Sequence, residues 1–109
     1  MAVVSFSRAR FTPADIAEFD IVAEPRMVQG LWDRVERLTD QLGDRLLISL
    51  PEIDRTVFIF ERHRCGTYRI WFQDRADGWH LITERDTASE CLWIWNPTPK
   101  VENPALSPA

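Results

Sequence analysis

Between Val57 and Trp95 the chain reads VFIFERHRCGTYRIWFQDRADGWHLITERDTASECLWIW, four β-prone runs parted by short turn-like breaks. The stretch holds four of the five tryptophans, three of the six phenylalanines and the only tyrosine. Runs of this length and composition separated by Arg64–Gly66, Asp74–Gly78 and Arg85–Ala88 predict an antiparallel meander. A three-residue first loop sets Arg62 against Tyr68 and Phe58 against Phe72. A five-residue second loop sets Phe72 against His80 and Ile70 against Ile82, and a four-residue third sets Ile82 against Cys91 and His80 against Trp93. Side chains alternate along a strand, so two faces follow. One carries Phe58, Phe60, Tyr68, Ile70, Phe72, His80, Ile82, Cys91, Trp93 and Trp95. The other carries Val57, Ile59, Trp71, Trp79, Leu81, Leu92 and Ile94. Both are apolar, whereas an antiparallel sheet with one wet face alternates apolar and polar residues. Only at one strand end do charges gather, with Arg69 next to Glu61 and Arg62 in the row of Tyr68 and Glu84. Cross-strand ion pairing explains that end.

The N-terminal half predicts helices to cover the sheet. Thr12-Pro13-Ala14-Asp15 combines a capping threonine, proline at the first helical position and an acid in the first turn, opening a short helix that ends near Asp20. A second, longer helix is expected from Glu24-Pro25 to Leu42, stopped by Gly43. Val28, Leu31, Trp32, Val35, Leu38 and Leu42 define its apolar side. Gly30 inside it costs about 1 kcal/mol relative to alanine. On the opposite side Asp33, Glu36, Asp40 and Asp44 recur at spacings of three, four and four, a carboxylate row with neighbours about 5–6 Å apart. Such a row either stays solvated or imitates nucleic-acid phosphates and docks in a basic groove on a partner protein. Leu46–Leu50 is a further strand, and Ala2–Phe6 is a candidate edge strand.

The expected fold is therefore α+β: one short and one long helix on a meander sheet of about five strands. Residues 1–96 form one domain, and the prolines of residues 97–109 make an extended tail. A chain of 109 residues supports its own core. No apolar run approaches membrane-span length, and two unpatterned cysteines fit a reducing, cytoplasmic setting. The net charge of −4 is unevenly spread. Thr12–Asp54 holds ten acidic against four basic residues, whereas Arg55–Arg85 holds six basic against four acidic.

Reaction motifs are lacking. His63, Cys65, His80 and Cys91 match no zinc spacing, so neither a metal nor another cofactor is expected. There is no nucleophile elbow and no glycine-rich phosphate loop. An enzymatic or small-ligand reading must rest on a pocket at Arg62, Tyr68, His80 and Glu84, with His80 as base. Stacking of single-stranded nucleic acid on Tyr68, Phe72, Trp93 and Trp95 is opposed by the acidic balance and by arginines that already face carboxylates. The double-faced sheet carries more weight. One amphipathic helix shields one side, and leaving several tryptophan-sized groups wet at roughly 25 cal/mol per Å2 forgoes several kcal/mol. The leading expectation is a non-catalytic, cytosolic protein-binding module of the inhibitor, immunity or accessory kind. It docks through the acidic helix, or through Trp71, Trp79, Trp93 and Trp95, and forms a homodimer.

Overall fold

The computed structural model describes residues 10–41, 43–53, 55–76 and 78–95. The proposed edge strand at Ala2–Phe6 and the tail over residues 97–109 lie outside them. The element order is α1 (Pro13–Val28), β1 (Arg34–Asp40), β2 (Gly43–Ser49), β3 (Thr56–His63), β4 (Tyr68–Asp74), β5 (Gly78–Arg85) and α2 (Ala88–Leu92). The strands form one antiparallel sheet in the order β1-β2-β3-β4-β5, a plain meander. An α+β architecture with an antiparallel sheet is thus present, but its parts are drawn from different residues than the sequence suggested.

Helix α1 starts as its sequence dictates. The Thr12 side chain accepts from the Asp15 N–H at 3.1 Å, and the Asp15 carboxylate accepts from the Thr12 N–H at 2.9 Å, a reciprocal cap ahead of Pro13. It does not stop near Asp20. A single helix replaces the expected short and long pair, and Pro25 lies inside it rather than opening a second one. That proline withdraws one N–H from the helix, and the Arg26 guanidinium donates to the Val22 carbonyl at 2.8 Å. The helix ends at Val28 because Gly30 takes φ +76°, a left-handed geometry that glycine enters without penalty.

Beyond Gly30, Arg34–Asp40 of the segment assigned to the long helix is strand. β1 pairs with β2 through Val35–Ile48, Arg37–Leu46 and Thr39–Asp44, so the apolar spacing of Val35 and Leu38 is not a helical face. The last apolar run is corrected in the opposite direction. Residues 88–92 are helical, because the Thr87 hydroxyl accepts from the Glu90 N–H at 3.1 Å and caps a turn. Cys91 therefore does not pair with Ile82, nor Trp93 with His80.

Within the meander the expected register holds for β3 and β4, with Arg62 facing Tyr68 and Phe58 facing Phe72. Phe72 faces His80 as expected. One residue later a bulge intervenes: Trp71 pairs with Leu81 but Ile70 with Thr83, leaving Ile82 as the extra residue instead of the partner of Ile70.

Both helices lie on one side of the sheet. Phe19, Val22 and Ala23 of α1 and Ala88, Cys91 and Leu92 of α2 join Leu46, Ile48, Phe60, Tyr68 and Ile70 in one buried cluster. Phe60 is fully buried at its centre, stacked on Phe11 at 5.2 Å and on Phe19 at 5.7 Å between ring centroids. Trp32 and Trp95 close one end of the cluster, meeting edge to face at 5.0 Å. Arg26 ties α1 to that end by donating to the Trp95 carbonyl.

Candidate functional site

The other side of the sheet has no described element packed against it. Strand alternation places two cross-strand rows there. The first is Leu38–Arg45–Glu61–Arg69–Glu84, one residue from each strand in register. The second, two residues along on β1 to β4 and three on the bulged β5, is Glu36–Leu47–Ile59–Trp71–Leu81, apolar in four of its five places. Trp79 extends the apolar area beside Gln73. Leu38, Trp79 and Leu81 are 43%, 39% and 45% exposed, Leu47, Ile59 and Trp71 are half-buried, and Glu61 is buried.

The charged row is knit together. The Arg69 Nε donates to a Glu84 carboxylate oxygen at 2.8 Å, and Arg69 also lies 3.9 Å from Glu61. The Trp71 indole N–H donates to Glu61 at 2.9 Å, so the apolar and charged rows are linked. Arg45 is ion-paired with Asp40. The hydrogen bond from Arg69 holds the Glu84 carboxyl below its ordinary value, and the same bond raises the arginine. Arg45, Glu61 and Arg69, with His63, frame a shallow depression of about 310 Å3 over Ile59, Trp71 and Trp79.

Of the four tryptophans named for docking, Trp71 and Trp79 are on this open side. Trp93 is 51% exposed but stands beside α2 with Ile82 and Ile94, and Trp95 packs into the core against Trp32 and Phe58. The strand alternation that assigned Trp93 and Trp95 to a sheet face ends at Arg85, and α2 follows from Ala88.

The acidic row is taken apart in the same way. Asp33 precedes β1, Glu36 and Asp40 are on β1, and Asp44 is on β2. No helix presents them as one face. Asp44 is fully buried on the core side, where it accepts from the Phe11 N–H at 2.7 Å, from Arg37 at 2.7 Å and from the Thr39 hydroxyl. Burial pushes its carboxyl up, and these three hydrogen bonds outweigh it, leaving Asp44 below the ordinary value. Mimicry of a phosphate ladder by a helix, and with it the inference of a basic groove on the partner, loses its geometric basis.

Nor do Arg62, Tyr68, His80 and Glu84 converge. Tyr68 donates to Asp15 at 2.9 Å under the Arg62 guanidinium, which stands 5.5 Å from the ring centroid. Burial, then the bond to Asp15, pushes the phenol up to about 12. The group joins α1 to β4 and is filled by protein. His80 is exposed near the far end of β5, and Glu84 belongs to the opposite side of the sheet.

Among the described residues no cluster of three His, Cys, Asp or Glu side chains is arranged to hold a metal. The β3–β4 turn does bring His63 Nδ1 within 3.2 Å of the Cys65 sulfur, which also lies 3.2 Å from the Thr67 hydroxyl. The Thr67 hydroxyl and backbone lower the Cys65 thiol, whereas burial pushes Cys91 up to about 12. A disulfide reagent such as dithiobis-nitrobenzoate should titrate one thiol rapidly in the native protein and the second only in denaturant. Cys65→Ser should abolish the fast phase; its survival would contradict the burial of Cys91.

The open apolar row was legible as an excess of apolar residues. Its framing row was legible only in part, because Arg45 and Leu38 come from residues assigned elsewhere. Compared with known proteins, the chain matches no family model, no curated protein and no solved structure.

Proposed function

We propose that this chain is a protein-docking module, without catalysis, that works through the open side of its sheet. The observation that carries the reading is the row Leu47–Ile59–Trp71–Leu81, continuous across four strands and with both described helices on the opposite side. Monomeric proteins rarely leave contiguous apolar surface of this kind without an interaction to cover it. Its frame of paired arginines and carboxylates has the anatomy of an interface, with an apolar centre and a polar rim. A reaction site finds less support, since Glu61, Arg69 and Glu84 are bound into ion pairs and Tyr68 is taken up by Asp15 on the other side of the sheet.

Covalent footprinting by a photolysed diazirine at high dilution tests the reading. Leu38, Trp79 and Leu81 should be modified heavily and Phe60, Ile48 and Ile70 hardly at all. If the first group is as protected as the second at every dilution, the chain covers this side itself and the docking role is excluded.

A further inference from the structure

Resting on that docking role, we propose that the occupant of the open face is a second copy of this chain, stacked face to face about a two-fold axis parallel to the strands. The charged row supplies the reason. Across β2 to β5 it reads Arg45, Glu61, Arg69, Glu84, an alternating series of even length. Such a series is complementary to its own reversal. A two-fold axis along the strands, between β3 and β4, reverses the row and keeps it at the same height. Arg45 then meets the partner's Glu84, and Glu61 meets the partner's Arg69. An axis perpendicular to the strands superposes like on like, setting Arg45 on the partner's Arg45. Like-charge juxtaposition of that kind suppresses the wrong arrangement.

The same operation treats the apolar row well. Leu47 lies over the partner's Leu81 and Ile59 over the partner's Trp71, an isologous contact in which each pair occurs twice. Strands of the two sheets run along the same axis, within the roughly 30° that sheet twist imposes on aligned sandwiches. Four overlapping strands at ~4.8 Å spacing and seven or eight residues at ~3.3 Å make an overlap of about 19 by 25 Å. With side-chain relief this is the scale of a standard interface of roughly 800 Å2 per partner. Arg45 and Glu84 keep 22% and 41% of their side chains exposed, so both still have surface to offer.

Association through the sheet edges is less favoured. β1 carries Arg34, Glu36, Arg37 and Asp40, and β5 is interrupted by the Ile82 bulge, both of which blunt an edge. The assembly is a β-sandwich with helices outside, built from two chains.

Charge exchange tests this pairing in the full chain. Light scattering at micromolar concentration should give twice the chain mass for the parent protein. Arg45→Glu and Glu84→Arg should each fall towards the single-chain mass, since each sets like charges together twice. An equimolar mixture of the two should return to twice the mass, because both contacts are then opposite in sign. A doubled mass that survives both reversals overturns the face-to-face arrangement. Single-chain mass at every concentration, with the open face labelled by the diazirine, overturns the second copy and leaves the docking role standing. Protection of the face at high dilution removes both.

If circular dichroism shows that a reversal has unfolded the chain, cross-linking decides instead. In a Cys65→Ser background, a short bismaleimide should join Leu47→Cys to Leu81→Cys in a mixture of the two. Facing sheets are about 10 Å apart, whereas two copies of Leu47→Cys are offset by a further three strand spacings, about 14 Å. Efficient cross-linking of either variant alone, or none in the mixture, overturns the proposal.

Discussion

Asp44→Ala should lower the stability of this protein by about 3 kcal/mol, read as a drop in the urea midpoint at unchanged slope. The carboxylate is fully buried and receives three donors from three parts of the chain: the Phe11 N–H, the Arg37 guanidinium and the Thr39 hydroxyl. Removing it leaves the buried Phe11 N–H unpaired, which costs about 1–3 kcal/mol, and takes a bond from the exposed Thr39. Arg37 contributes less, because 46% of its side chain reaches water and its charge is rehydrated there. The loss of the Phe11 bond has a further consequence. Phe11 is buried against Phe60 and is followed directly by the cap of α1, so Asp44 is what fastens the entry of the helix to β2. Asp44→Asn keeps an acceptor but presents an amide to Arg37, and a cost near 2 kcal/mol is expected.

The same residue gives the protein an acid slope of known sign. Asp44 is held below its ordinary value of 3.8, so the unfolded chain binds the proton more tightly than the folded one. Its contribution is complete above pH 3.8 and is lost as pH falls through the lower, folded value. Urea midpoints measured from about pH 5 to about pH 2 should decline less steeply in Asp44→Asn than in the parent. Parallel curves, or a cost under about 1 kcal/mol for Asp44→Ala, would mean that the Phe11 segment is not anchored there.

Asp44 also shows where a sequence stops being informative. Its spacing from Asp33, Glu36 and Asp40 fits a helix, and nothing local says that it is an inward residue of a strand. The decisive signal was Gly30. Read as a tolerated helix interior residue it permits a helix to Leu42; read as a left-handed stop it ends α1 and frees Arg34–Asp40 to pair with β2. Spacings of three and four in so short a segment do not separate helix from strand, and tertiary pairing decides. Thr87-Ala88-Ser89-Glu90 carried the other missed signal, a capping pattern inside a run whose Trp and Ile favour strand. The registers of β3 with β4 and of Phe72 with His80 were legible because turn length fixes pairing locally. The Ile82 bulge was not, since one extra residue leaves no mark in an apolar run. The two-sided character of the central strands was legible, and it depends on composition alone.

Phe60→Ala should cost about 4 kcal/mol, and Leu81→Ala under about 1 kcal/mol, in dilute protein. Both are large-to-small changes of apolar side chains in the same sheet, on opposite sides of it. Phe60 is fully enclosed by Phe11, Phe19 and Tyr68, so its removal opens a cavity that stacked rings on both layers cannot collapse to fill. Leu81 is 45% exposed, and truncating it exchanges a partly wet side chain for water. The comparison becomes sharper with concentration. If another molecule covers the open side, the cost of Leu81→Ala should grow once that molecule is present in excess, because the lost contact then belongs to the bound state. The cost of Phe60→Ala should not change. A large, concentration-independent penalty for Leu81→Ala would place it in a second core made by the chain itself, and the sheet would then have no side left to offer.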